Sequence, residues 1–170
     1  MHRKTRQTLR KIQNLTTRPP KGGFSLRNKT MTPLELKVAR KLLGLSTVEA
    51  AEHIGKVSKR SWEYWENGQR TIKPDVEELI NSLLSRRREI IAEVYNMGEN
   101  AKGISVIYYK TPEHCESVLE WRFSQSLAST LSLDFGARLV EFDKRDFEKF
   151  INENGLVDNK PSRAMWAASR

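Results

Sequence analysis

The stretch VSKRSWEYWENGQR, residues 57–70, concentrates most of the chemistry in this chain. On a helix beginning near Ser58, Lys59, Arg60, Glu63 and Tyr64 share one face, with Ser61 at its margin. Trp62 and Trp65, three residues apart, share the other. The Arg60 guanidinium can donate two parallel hydrogen bonds to the O6 and N7 of guanine. Glu63 can accept from the N4 amino group of cytosine, and the Ser61 hydroxyl is permissive. The two indoles carry enough apolar area to anchor a small helical core. Using them to stack single-stranded bases would require both rings to be exposed on a regular helix. A cation run alone usually marks a solvated helix face, so the position of this one decides its meaning.

No competing constellation points to catalysis. His2, His53 and His114 lack metal-ligand spacing, and no Gly-x-Ser-x-Gly, Gly-rich phosphate loop or His-Glu-x-x-His occurs. We therefore expect no enzymatic activity, no cofactor and no bound metal. Clustered carboxylates such as Glu77–Glu78 read as ordinary helix-surface residues. Cys115 is the single cysteine, which excludes an internal disulfide. It reads as a half-buried structural thiol on a helix, in a reducing, cytoplasmic protein. No apolar run approaches the roughly 20 residues that span a bilayer, so no membrane association is expected.

The net charge of +9 becomes informative once it is located. Residues 1–30 hold nine Lys/Arg and no acid, whereas residues 31–170 hold twenty-one of each sign. The first segment, with its Pro-Pro and Gly-Gly, reads as a disordered basic arm that would strengthen nucleic-acid binding through counterion release. Its alternatives are a transit peptide or an upstream extension, with Met31 as a start.

Ordered structure is expected from Met31. In MTPLELKVARKLLGL, Thr32 is an N-cap, Pro33 takes the first helical position and Glu35 closes a capping box. Leu36, Ala39, Leu42 and Leu43 form the apolar stripe, and Gly44 ends the helix. Ser46 and Glu49 form a second box before STVEAAEHIG, with Val48, Ala51 and Ile54 as the stripe and Gly55 as the stop. The third helix runs from Ser58 to Asn67-Gly68. A fourth keeps apolar phase from Pro74 to about Met97, a length of about 35 Å. That outruns a compact four-helix core, so its second half must pack on the C-terminal region or on another subunit. Arg86, Arg87 and Arg88 lie on it, expected to be solvated or paired with Glu89 or Glu93. Beyond Gly98, GISVIYYK and ARLVEF read as strands, ESVLEWRFSQSLASTL as a helix, and Asp143 as the cap of KRDFEKFINENG. The polar composition from Leu156 onward reads as a frayed tail despite Trp166.

Two helices joined by a turn and ending in WENG resemble the phage-repressor-like (Xre/Cro-type) DNA-binding domain. More narrowly, AAEHIG, RSWEYWENG and WRFSQS resemble the YdiL-like and anti-CRISPR-associated repressors. That resemblance covers about Met31 to Leu133. It implies a helix-turn-helix whose third helix enters the major groove, with Lys59, Arg60, Ser61, Glu63 and Tyr64 at the bases. Phosphate contacts would flank it, from Ser46 and Thr47 at the N-terminus of the second helix and from Asn67, Gln69, Arg70 and Lys73 after the third. The turn GKVS is one residue longer than the usual Gly-Val-Ser. Glu63 stands where relatives often carry Gln, which shifts the favoured base from adenine to cytosine.

The expected architecture is mainly α with a small α+β C-terminal part. A four- to five-helix DNA-binding domain (31–98) follows the arm. A strand-helix-strand-helix dimerisation region (99–155) and a flexible tail (156–170) complete the chain. The expected function is an autoregulatory repressor that binds an inverted-repeat operator in double-stranded DNA as a homodimer. Two alternatives use the same helix or the arm: an antitoxin with a toxin-binding surface in 100–155, and an RNA-binding module that fails without residues 1–30. WRFSQS is expected to serve the dimer or the core between the two halves.

Overall fold

The computed structural model describes residues 30–170. The expected basic arm therefore lies, apart from Thr30, outside the described residues. The first helix, α1 (Pro33–Leu42), opens on the complete Thr32/Glu35 capping box and closes at Gly44, whose φ of +73° suits glycine. The Met31 N–H donates to Glu77 Oε1 at 2.8 Å, which ties the start of α1 to the fourth helix. Helix α2 (Thr47–Ala50) opens on the Ser46/Glu49 box and continues as a wide π-turn, Ala51–Gly55. Next come α3 (Lys59–Glu66), capped by Ser58, and α4 (Pro74–Asn96). Leu36, Leu43, Ala50, Ile54, both tryptophans, Val76 and Ile80 meet in one core.

The second part is a strand-helix-strand-helix unit with one further helix. β1 (Ser105–Tyr108) pairs in parallel with β2 (Arg138–Glu141), Val106 opposite Leu139. Helix α5 (Val118–Phe135) makes the crossover that a parallel pair requires. α6 (Lys144–Glu153) and α7 (Lys160–Ala168) complete it. Phe123, Leu127 and Leu131 of α5 join Ile90 and Val94 of α4 in the first core. The distal half of the long helix thus packs on the C-terminal region, the first of its two expected settings. Val140, Phe147, Trp166 and Ala167 form a second core, flanked by Ile107, Phe142, Phe150 and Ile151. No helix among the described residues is long and apolar enough to cross a membrane.

Several expectations require correction. The frayed tail is helix α7: Asn159 caps it, Trp166 is buried, and the Trp166 indole donates to Asp146 Oδ2 at 2.8 Å. Arg163 anchors it further, donating to Asp158 through two nitrogens and to the His114 carbonyl. Arg86 and Arg87 are not a solvated run. Arg86 lies 4.3 Å above the Phe123 ring and forks onto Glu120 at 2.6 and 2.8 Å, and Arg87 reaches Thr130 Oγ1. Both turn toward α5 because α5 covers that side of α4. Leu42 and Val48, expected in apolar stripes, are 44% and 52% exposed. Leu43 is buried as expected, and Ala50, outside the expected stripe of the second helix, takes an inward position. Cys115 sits in extended backbone after a short 3₁₀ turn (Pro112–His114) and not on a helix. Burial pushes its thiol above the ordinary value against the pull of Arg163, which suits a structural role.

Gly55 is also not a helix stop of the usual kind. The left-handed residue is Lys56, at φ +50° and ψ +45°. Gly55 lacks a side chain for a different reason. A Cβ there would stand 3.0 Å from Trp65 Cζ3 and 3.1 Å from Trp62 Cε3. The π-turn absorbs the additional residue of the GKVS connection, letting α2 close onto α3 with its backbone against the indoles.

Candidate nucleic-acid interface

Helix α3 is divided as its spacing implies. Trp62 is fully buried and Trp65 is 4% exposed, and their rings meet edge to face at 5.6 Å. Their burial fixes which residues face out. Lys59 and Arg60 are exposed, and Glu63 and Tyr64 are half-buried beside them. The Arg60 Nε donates to the Tyr64 hydroxyl at 2.6 Å, and Lys59 lies 3.6 Å from Glu63. Each outward cation is thereby steadied by the residue one turn on. Ser61 is turned back toward the cap: its N–H donates to Ser58 Oγ, and the two hydroxyls are 3.1 Å apart.

The end of α3 is held by hydrogen bonds the motif itself provides. The Gly68 N–H donates to the Trp65 carbonyl and the Gln69 N–H to that of Tyr64, the double closure of a Schellman turn at φ +73°. Asn67, Gln69, Arg70 and Lys73 emerge from it exposed. The Arg70 guanidinium lies 4.8 Å from the centre of the Tyr64 ring, so the outward set of α3 and the set that follows it meet at that tyrosine.

The other expected flank is more constrained. Ser46 is exposed and Thr47 half-buried, but the Ser46 N–H already donates to Glu49 Oε2 at 2.8 Å. Glu49 Oε1 in turn accepts from Arg122 Nε of α5 at 2.8 Å. Burial raises the affinity of Glu49 for a proton. The Ser46 and Arg122 hydrogen bonds outweigh that and hold the carboxyl below its usual range.

Sequence reasoning missed the residues beneath the interface. Glu66, the acid of WENG, has its side chain turned inward and accepts from Arg40 Nε (2.5 Å), Arg40 Nη2 (3.1 Å) and Trp62 Nε1 (2.7 Å). Arg40 also donates to the Leu45 carbonyl. Burial alone would raise the Glu66 pKa, but these donors bring it below the ordinary carboxylate value. One signal was available: Glu66 stands four residues after Trp62, on the inward side, where a charge needs a buried partner. The pairing also sets the sign of the surface. Residues 56–73 contain five cations and two acids, and one of those acids is consumed by Arg40. Four net positive charges remain around the outward face of α3, with the polarity that suits a phosphate backbone. Among the described residues no group of His, Cys, Asp or Glu is arranged to hold a metal ion.

The sequence profile of the Aca2/YdiL-like family matches residues 31–140. The Aca2 repressor of Pectobacterium phage ZF40 is 37% identical over 118 residues, covering 65% of this chain and the whole of that protein. The family match runs from the start of α1 into β2 and stops before α6.

Proposed function

The chain belongs to the Aca2/YdiL-like family, and from that premise we propose that it is a transcriptional repressor acting in the cytoplasm without catalysis. It binds an inverted-repeat operator in double-stranded DNA as a homodimer and silences its own promoter by occlusion. In this reading α2 and α3 form a helix-turn-helix, and each subunit lays α3 in a major groove, the two half-sites about one helical turn apart. One observation carries the reading. Both tryptophans of α3 are sealed inside while Lys59, Arg60, Glu63 and Tyr64 stand outward together. A merely solvated helix would not need a guanidinium steadied by a tyrosine hydroxyl.

The Arg60–Tyr64 bond uses Nε, which leaves the two terminal nitrogens to form the fork that reads guanine. Footprinting of the DNA upstream of its own reading frame should reveal the repeat. On that site Arg60→Ala should lose about 1–3 kcal/mol and relax the preference at one base pair. Lys73→Ala should weaken all sequences alike and lower the salt slope by about one. Equal losses on operator and random DNA for Arg60→Ala would refute the base-reading assignment.

A further inference from the structure

The WRFSQS segment of α5 touches both parts of the molecule. On one side the Trp121 indole and the Gln125 amide donate to the Tyr109 carbonyl, each at 2.8 Å, just beyond β1. On the other, the Ser126 hydroxyl donates to the Leu42 carbonyl at the end of α1, and Arg122 donates to Glu49 at the start of α2. At Gly44, between those two helices, a Cβ would stand 3.5 Å from the Arg122 carbonyl oxygen and 3.7 Å from Ser126 Cβ, so α5 passes close to this turn. The Arg122 guanidinium is immobilised before it reaches Glu49. It lies 4.1 Å from the Trp121 ring and donates to Gln125 Oε1. Otherwise the two parts meet along one helix pair, α4 and α5, through an apolar seam with the Arg86–Glu120 and Arg87–Thr130 hydrogen bonds on it, and a single packed helix pair can still roll and shear.

We propose that Arg122, with Ser126, is a positioning clamp that fixes the angle of the reading helices relative to the dimerising half, and so sets which operator spacing is accepted. The inference rests on the dimeric operator-binding reading above. Each added base pair moves one half-site about 3.4 Å along the axis and turns it about 35°. A clamped head cannot follow that displacement, whereas a head held only at the α4–α5 seam can.

The test uses the full chain and duplexes of the repeat footprinted upstream of its own reading frame. The spacer is native, one base pair shorter or one longer, and a fourth duplex carries a single half-site. The wild-type chain should lose about tenfold or more on either altered spacer. Arg122→Ala should shrink that loss to about threefold or less while keeping its affinity for the single half-site. Glu49→Gln breaks the same contact from the other side: its amide keeps the cap but turns an NH₂ toward Arg122. It should flatten the spacing profile as well, as should Ser126→Ala to a smaller degree. Unaltered discrimination in these variants would overturn the proposal. So would an equal loss for Arg122→Ala on every duplex with a shallower salt slope, which would make Arg122 a phosphate contact. A wild-type chain that binds no inverted repeat at all would defeat the operator-binding reading itself, and the clamp with it.

Discussion

The N-terminal half (31–97) and the C-terminal unit (104–170) are stabilised in different ways. In the first, each short helix is closed by residues three apart: Thr32 with Glu35, Ser46 with Glu49, Ser58 with Ser61. In the second, the important ties cross long stretches of chain. Tyr109 receives Trp121 and Gln125, Arg163 reaches back to His114 and Tyr109, and β1 finds β2 only across α5. The difference has a functional consequence. A domain whose helices are specified locally can carry an outward face chosen for charge and hydrogen bonding, because that face is not needed to hold it together. The C-terminal unit uses its polar groups for assembly.

The sharpest way to break that comparison is to remove one acid from an Arg pair in each half. Glu66 and Arg40 are 6% and 9% exposed at their side chains, and removing the carboxylate strands a guanidinium in the core. Glu66→Ala should destabilise by about 3–5 kcal/mol. Asp158 also sits in a two-point pair with Arg163, and that bond is the largest influence holding the Arg163 guanidinium protonated. Asp158 is, however, 50% exposed, and solvent screens what geometry suggests. Asp158→Ala should lose about 1 kcal/mol or less. Denaturant unfolding of the two variants side by side would measure both, and similar losses would mean that the two halves depend equally on their Arg–carboxylate pairs.

A second test asks whether the halves unfold as one. Trp166 is buried against Phe142 and Phe147 in the second core, with ring centres at 5.5 and 6.0 Å. Trp166→Ala should destabilise that core by about 3 kcal/mol. Amide exchange of the full chain should then lose protection at β1, β2 and α7 while α1–α4 keep theirs. Uniform loss across both halves would mean that the α4–α5 seam couples them into one cooperative unit.

These contrasts explain what could be read from the sequence. Capping boxes are local statements, so α1 and α2 were legible from Thr32 and Ser46 with their partners three residues on. The sidedness of α3 was legible from the spacing of Trp62 and Trp65. Helix α7 was not, because it buries one tryptophan and two small residues, Ser162 and Ala167, on an otherwise polar segment. Asn159 before Pro161 was its only sequence mark. Arg40, Glu66, Arg86 and Arg122 were missed for a related reason. A charged residue on a helix looks solvated until a partner more than twenty residues away is placed beside it, and sequence spacing carries no such information.

The smallest expected effect concerns the turn between α2 and α3. Lys56 is the one residue other than glycine with positive φ among those described, and an L side chain in that conformation costs roughly 1–2 kcal/mol. Glycine would remove the strain but lose about 0.5–1 kcal/mol in unfolded-chain entropy. Lys56→Gly should therefore stabilise the protein by about 0.5–1 kcal/mol. In the other half Gly155 follows α6 at φ +62° with open space where a Cβ would go, so Gly155→Ala should destabilise by about 1 kcal/mol. Chemical unfolding of the pair should thus move in opposite directions. Lys56 is also an exposed cation two residues before the cap of α3, so the same substitution should weaken binding to all DNA sequences and lower the salt slope. A gain in stability joined to a loss in binding would show why a strained lysine stands where glycine fits better. A loss of stability instead would mean that the left-handed turn is not what limits this corner, and that Lys56 is held by packing rather than kept for its charge.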